Sequence, residues 1–209
     1  MLISKNVTCQ YNNRIIFEDV NINLGQGALV ILHGPNGSGK TSFLKILAGI
    51  NTSWGGDVLW NDRPITDAIQ DDELRINYLG HSYAVKPELT VLENIEFWAE
   101  LAGNPAKIEE ALEIFGLTAM ANLLCSDLSS GWQKRVALAR LVCCPANAWL
   151  LDEPYNNLDV KISGVLDKLI VDYAKAGGIV MLSSHTLVPI EKADKLNIAA
   201  FAPSGALAA

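Results

Sequence analysis

The chain has 209 residues, half of them hydrophobic and 19% charged, which supplies apolar surface for one large core and excludes wholesale disorder. Twenty-three Asp and Glu against sixteen Lys and Arg give a formal net charge of -7, the wrong sign for a nucleic-acid or anionic-membrane binder that works by phosphate neutralisation. The start has no signal-peptide run, no stretch approaches the roughly 20 apolar residues of a spanning helix, and Cys9, Cys125, Cys143 and Cys144 lack metal or redox spacing. The expectation is a chain soluble where it is made, with its cysteines as small buried hydrophobes.

In chain order, residues 2–27 are rich in β-branched side chains with partial alternation and Asn or Gly turns, which predicts short antiparallel strands. Residues 29–32, 148–151 and 179–182 are continuous apolar runs, the pattern of strands buried on both faces of a mainly parallel sheet. Residues 91–124 read as almost wholly helical, broken at Gly103, Asn104 and Pro105, with Ile108, Ala111, Leu112 and Phe115 as a core stripe. Ile162, Val165, Leu166, Leu169, Ile170 and Tyr173 mark one face of a later helix, which Gly177 and Gly178 stop. The tail after residue 200 is expected to be loosely ordered. No repeat or linker divides the chain, so one α/β domain over 1–209 is predicted, with a helical subdomain at about 82–130 inserted between the first and later strands.

Between the first apolar run and a helical segment stands Gly34-Pro35-Asn36-Gly37-Ser38-Gly39-Lys40-Thr41, followed by Ser42. This G-x-x-x-x-G-K-[ST] pattern in strand–turn–helix context is a phosphate loop. Its glycines let the backbone curl with N–H groups inward, and the helix start adds partial positive charge. A nucleoside triphosphate is the natural occupant, with Lys40 reaching the β and γ phosphates and the Thr41 hydroxyl helping to hold Mg²⁺. Such a site needs an acidic partner at the end of a neighbouring strand, and the 148–151 run ends in Asp152 and Glu153. Asp152 is the candidate for the magnesium shell and Glu153 for the base that polarises the attacking water.

Before that strand comes LSSGWQKRVALARLV (128–142), after it DEPYNNLD, and later MLSSH. This order resembles ABC-type ATPases over almost the whole chain: a P-loop NTPase with a mainly parallel core, an N-terminal antiparallel β subdomain and an inserted helical subdomain. The resemblance implies ATP and Mg²⁺ as ligands and a head-to-tail homodimer in which Ser129 and Gly131 of one subunit meet the γ-phosphate bound by the other. It places Asn157, Leu158 and Asp159 in the loop that crosses the dimer, His185 as the switch histidine, and Tyr11 as the aromatic that stacks on adenine. Tyr11 as a packed strand aromatic and His185 as an ordinary strand-end histidine are the alternative readings. Two departures stand out: Ser130 and Trp132 replace a usual glycine and glutamine of the signature, and His81 stands where the family has a glutamine that senses magnesium and the membrane partner. His81 is therefore read either as a magnesium-side residue or as a surface-loop histidine.

YLGH, ELT, ENI and FW around residues 78–98, with the short length, are similar to the ATP-binding subunits of cytochrome c biogenesis haem exporters. That likeness implies a peripheral subunit on the cytoplasmic face of the inner membrane, paired with membrane-spanning subunits and with no nucleic-acid partner. The alternatives are the ATPase of another exporter, of lipoprotein, peptide or small molecule, a soluble ABC-type ATPase not coupled to transport, and a nucleotide-binding module that has lost turnover.

Overall fold

The computed structural model describes residues 1–12, 14–51, 54–185, 190 and 192–203, the side chain of Trp54 excepted. Two sheets flank a central helix. In the first, β1 (Leu2–Tyr11) pairs antiparallel with β2 (Arg14–Leu24) and with β4 (Trp54–Trp60), and the short β5 (Arg63–Pro64) closes the edge. Its two leading strands are long rather than short. Register shifts between Ser4 and Val7 and between Val7 and Cys9 reset which side chains face inward, so the sequence alternates only in part although the strands run on.

The second sheet has the order β6-β7-β8-β3-β9 and is parallel throughout. It comprises β3 (Leu29–His33), β6 (Ile76–Leu79), β7 (Ala148–Leu151), β8 (Ile179–Ser183) and β9 (Asp194–Asn197). The three apolar runs are its three inner strands, and successive side chains enter opposite cores. Val30, Leu32, Ala148, Leu150, Ile179 and Met181 pack with α1 (Lys40–Leu47) and the antiparallel sheet. Leu29, Ile31, Trp149, Leu151, Val180 and Leu182 pack on the other side with α3 (Val91–Leu101), α4 (Ile108–Ile114), α5 (Ser130–Cys143) and α6 (Val160–Lys175). Burial on both faces is why these strands read as unbroken hydrophobic runs. A further short helix, α2 (Ile65–Gln70), follows β5.

The 91–124 segment is less helical than expected. A capping box of Thr90 and Glu93 starts α3, and α4 ends before Gly116, which sits at φ 66. From there the chain makes only a single 3₁₀ turn at Thr118–Met120. A hydrogen-bonded turn follows at 121–122, after which Leu124 bridges Thr90 and the Leu123 carbonyl accepts from the Val91 amide. The expected stripe does enter the core, with Ala111, Leu112 and Phe115 buried and Ile108 packed at its margin. Cys9, Cys125 and Cys143 are buried and Cys144 half-buried, all as free thiols. Of the tail, 204–209 lie outside the described residues, while Ile198–Phe201 form a 3₁₀ turn with Ile198 buried.

Phe43 of α1 is fully buried between the sheets and meets Phe17 of β2 edge to face at 5.7 Å. Phe43→Ala is expected to lower the unfolding free energy by about 3–5 kcal/mol, read as a reduced midpoint in urea; an unchanged midpoint would show that this contact does not join the two sheets.

Candidate active site

In the parallel sheet β7, β8 and β3 are neighbours, so their carboxyl ends open side by side, the usual place for a ligand in such a sheet. The phosphate loop leaves β3 there. Gly39 caps α1 in the left-handed region at φ 98, and a Cβ on it would come within 2.6 Å of Phe17 Cδ1. A Cβ on Gly34, at φ 150, would lie 2.7 Å from Ser38 Oγ. The curl is thus closed to side chains at Gly34 and Gly39, where main chain is left to line it, and the first N–H groups of α1 have no partner within the helix. Ser38 Oγ is buried without a hydrogen-bond partner. Lys40, 7% exposed, donates from Nζ to the carbonyls of Gly34 at 2.8 Å and Pro35 at 3.2 Å, so its ammonium lies across the loop.

The end of β7 is tied to the start of α1 and to the end of β8 through Asp152, which is buried. Thr41 Oγ1 donates to Asp152 Oδ2 at 2.7 Å, and Ser183 Oγ, at the end of β8, donates to Asp152 Oδ1 at 2.6 Å. The same Ser183 hydroxyl accepts from the Glu153 amide at 2.8 Å. Glu153 adopts φ 47, a strained backbone for a residue with a side chain, and its Oε2 lies 2.9 Å from His185 Nδ1.

A cavity of about 370 Å³ is lined by Tyr11, Asn36, Gly37, Gly39, Lys40, Thr41, Ser42, His81, Asp152 and Glu153. A second of the same size adjoins it, lined by His81, Tyr83, Lys134, Asp152, Glu153, Asn156, Asn157 and His185. Tyr11 is 45% exposed and accepts from Asn51 Nδ2 at 3.0 Å, so it is not a core aromatic. A larger groove of about 760 Å³ opens at the other end of β3, beside Leu29, Ala174 and Ile190; no sequence-predicted site residue lines it.

Residues 17–156 match the ABC transporter family. The chain belongs to that family. Among its ABC relatives, the "Cytochrome c biogenesis ATP-binding export protein CcmA" of Paramagnetospirillum magneticum is 38% identical over 95% of this chain and 94% of its own. The protein of the same name from Mannheimia succiniciproducens is 41% identical over 93% and 92%. "ABC transporter I family member 1" of Arabidopsis thaliana is 37% identical over 92% and 85%. Among solved structures, a putative ABC transporter ATP-binding protein from Pyrococcus furiosus superposes with a TM-score of 0.83 at 26% identity, covering 97% of this chain and 99% of that one. A dimeric ATP-binding cassette in a post-hydrolysis state, bound to ADP and Pi, gives 0.82 at 25% identity, covering 95% of each.

The fold of an ABC cassette therefore brings together Lys40, Thr41, Asp152, Glu153, His185, His81 and Tyr11 around two adjoining cavities. It keeps Ser129 and Gly131 apart from them. Ser129 is the exposed N-cap residue of α5 and Gly131 lies in its first turn, and neither lines the cavities of its own chain. A Cβ on Gly131 would press to 2.7 Å of the Asn157 carbonyl, so the signature turn packs directly on the loop that follows Glu153. Trp132, the departure from the usual glutamine, lies flat on Arg135 with the guanidinium 4.0 Å from its ring, and Arg135 is ion-paired with Asp159. Asp159 in turn caps α6, accepting from the Ile162 amide at 3.0 Å. Sequence reasoning passed over Ser183, Tyr83 and Lys134. For Ser183 the available signal was a polar residue closing the 179–182 apolar run.

Gly39→Ala places a side chain where φ 98 and the Phe17 ring both oppose it. It should cost about 1–3 kcal/mol of stability and weaken Mg-ATP binding in a calorimetric titration. Parent-like affinity in that variant would show that the loop tolerates a wider curl than the one described.

Proposed function

We propose that the chain is the ATP-hydrolysing motor subunit of a membrane exporter for cytochrome c biogenesis, the haem exporter complex. The carrying observation is the Asp152 carboxylate, which accepts from Thr41 at the phosphate-loop helix and from Ser183 at β8, with the Glu153–His185 pair beside it. The names of the relatives, cytochrome c biogenesis ATP-binding export proteins at 38% and 41% identity along nearly the full chain, support the choice of pathway. Residues 1–209 form one nucleotide-binding domain in this reading, with the block at about 82–130 as the helical subdomain that passes motion to membrane-spanning partners.

Gly34, Pro35, Asn36, Gly37, Ser38 and Gly39 wrap main-chain amides around the terminal phosphates, with Ser42 beside them and Tyr11 under the base. The orphaned Ser38 hydroxyl and the close backbone curl at Gly34 and Gly39 suit anionic oxygens. Lys40 exchanges the loop carbonyls for β and γ phosphate oxygens. Hard oxygen donors on Thr41 and Asp152, 2.7 Å apart with His81 on the rim of the same cavity, would hold Mg²⁺. When bound, the ion neutralises charge on the transferring phosphoryl group. Glu153 orients the attacking water and takes its proton, and His185 steadies the Glu153 carboxylate and contacts the γ-phosphate.

Ser129 and Gly131 present the start of α5 to the phosphate loop of a second copy, so that two chains close head to tail over ATP. Shared γ-phosphate contacts give ATP the preference for the closed state that such a motor requires. Among the described residues no helix is long and apolar enough to cross a membrane. In this reading the likeness to ATP-binding export proteins supports attachment through membrane-spanning subunits, with the chain on the cytoplasmic face of the inner membrane.

Glu153→Gln is expected to keep Mg-ATP affinity, slow steady-state turnover by about 100-fold or more and accumulate an ATP-bound dimer in size-exclusion chromatography. Lys40→Ala should instead lose nucleotide binding. Parent-like hydrolysis by the Glu153 variant would remove Glu153 as the base, and recovery of the parent wholly in the soluble fraction with no co-purifying membrane protein would reject the exporter assignment.

A further inference from the structure

Lys134 is a charged side chain in an unusual place. It is 1% exposed, on the second turn of α5 and three residues beyond Gly131, so it shares a face with the signature turn. Its Nζ donates to the backbone carbonyl of Glu153 at 3.2 Å and sits 4.9 Å from the centre of the Tyr83 ring. The Tyr83 hydroxyl accepts from Asn157 Nδ2 at 3.1 Å, which ties the same ring to the loop that follows Glu153. An ammonium has three donors. Lys134 also lines the cavity with Asp152, Glu153 and His185. Burial pulls the Lys134 ammonium down to about 8 while Asp152 and Glu153 pull it back up, so the fold holds this amine among carboxylates against a desolvation cost.

Holding it there has a geometric use. Glu153 is left-handed at φ 47, a conformation that costs on the order of 1–3 kcal/mol and persists only where neighbours over-determine it. Three side-chain ties do so: Ser183 accepts from the Glu153 amide, Lys134 donates to its carbonyl, and His185 pairs with its carboxylate. Two of these come from β8 and the residues just after it. The third comes from the signature helix and meets the Glu153 carbonyl together with the Asn156 amide of the local turn, 3.3 Å away, so it is a side-chain tie on the peptide plane that follows Glu153.

We infer that Lys134 is a positioning residue for hydrolysis, clamping the Glu153 carbonyl from the signature helix so that the Glu153 carboxylate is aimed at the attacking water. The inference rests on the proposed role of Glu153. It makes α5 a single lever: its exposed start, Ser129 and Gly131, meets the nucleotide of the opposite subunit, and its second turn holds the catalytic carboxylate of its own.

The test compares Lys134→Met, Lys134→Arg and Glu153→Gln in the full-length chain within its membrane complex, by steady-state ATP hydrolysis and by Mg-ATP titration. Lys134→Met keeps the length and packing of the side chain without the donors, and it is expected to lower kcat at least about tenfold with KM for Mg-ATP changed by less than about threefold. Lys134→Arg, which restores a donor, should recover most of the lost kcat. Turnover of Lys134→Met within about twofold of the parent overturns the inference. So does a parallel loss of kcat and nucleotide affinity that Arg does not rescue, which is the signature of a merely structural lysine. If Glu153→Gln hydrolyses as fast as the parent, the role of Glu153 fails and takes the inference with it. If Glu153→Gln is inactive while Lys134→Met is active, the inference fails alone.

Discussion

One buried carboxylate ties the site together. Asp152 accepts from Thr41 on the phosphate-loop helix at 2.7 Å and from Ser183 at the end of β8 at 2.6 Å, so a single side chain ties the end of β7 to the start of α1 and to the end of β8. Hydrogen bonds to an ionised acceptor are short and roughly twice as strong as neutral ones, and a buried carboxylate left without them would be expensive. The same group is the one the proposed chemistry needs beside a hydrated magnesium ion. Structure and proposed function therefore meet at Asp152: the residue that ties the end of β7 to α1 and β8 would, in the proposed reading, also supply the negative charge for the metal shell.

Around this point the sequence was most legible where burial is two-sided. The runs in β3, β7 and β8 stand out because each inner strand feeds one side chain to the α1 core and the next to the helical core, so neither position tolerates a polar residue. β6 and β9 were not legible because they are the edges of the sheet. β9 is almost wholly exposed, with Asp194, Lys195 and Asn197 in a four-residue strand, and charges on a short edge are how proteins discourage stray pairing. The 121–124 stretch misled for a different reason: its Ala and Leu content suits a helix, yet its backbone groups are taken up by the start of α3, and tertiary pairing overrides propensity.

The chemical residues divide in a similar way. Lys40, Thr41, Asp152 and Glu153 announce themselves because fixed spacing and strand–loop–helix context are local properties. Ser183, Tyr83 and Lys134 do not, since each matters only through a partner far along the chain. Lys134 in particular reads as one more base in a polar helix start, and only its burial beneath Glu153 distinguishes it. Trp132 is intermediate. The sequence marks it as a departure, but its stacking on Arg135, and through Arg135 its link to Asp159, belongs to the folded chain.

The central claim is that the Thr41–Asp152 junction is a magnesium-nucleotide site, and the direct measurement is calorimetric titration of the full-length chain with ATP in the presence and absence of Mg²⁺. The account predicts saturable binding that strengthens markedly with the ion, and loss of that strengthening when Asp152 is replaced by Ala in a chain that still melts cooperatively. Binding indifferent to magnesium, or no binding to the folded chain even within its membrane complex, would contradict it.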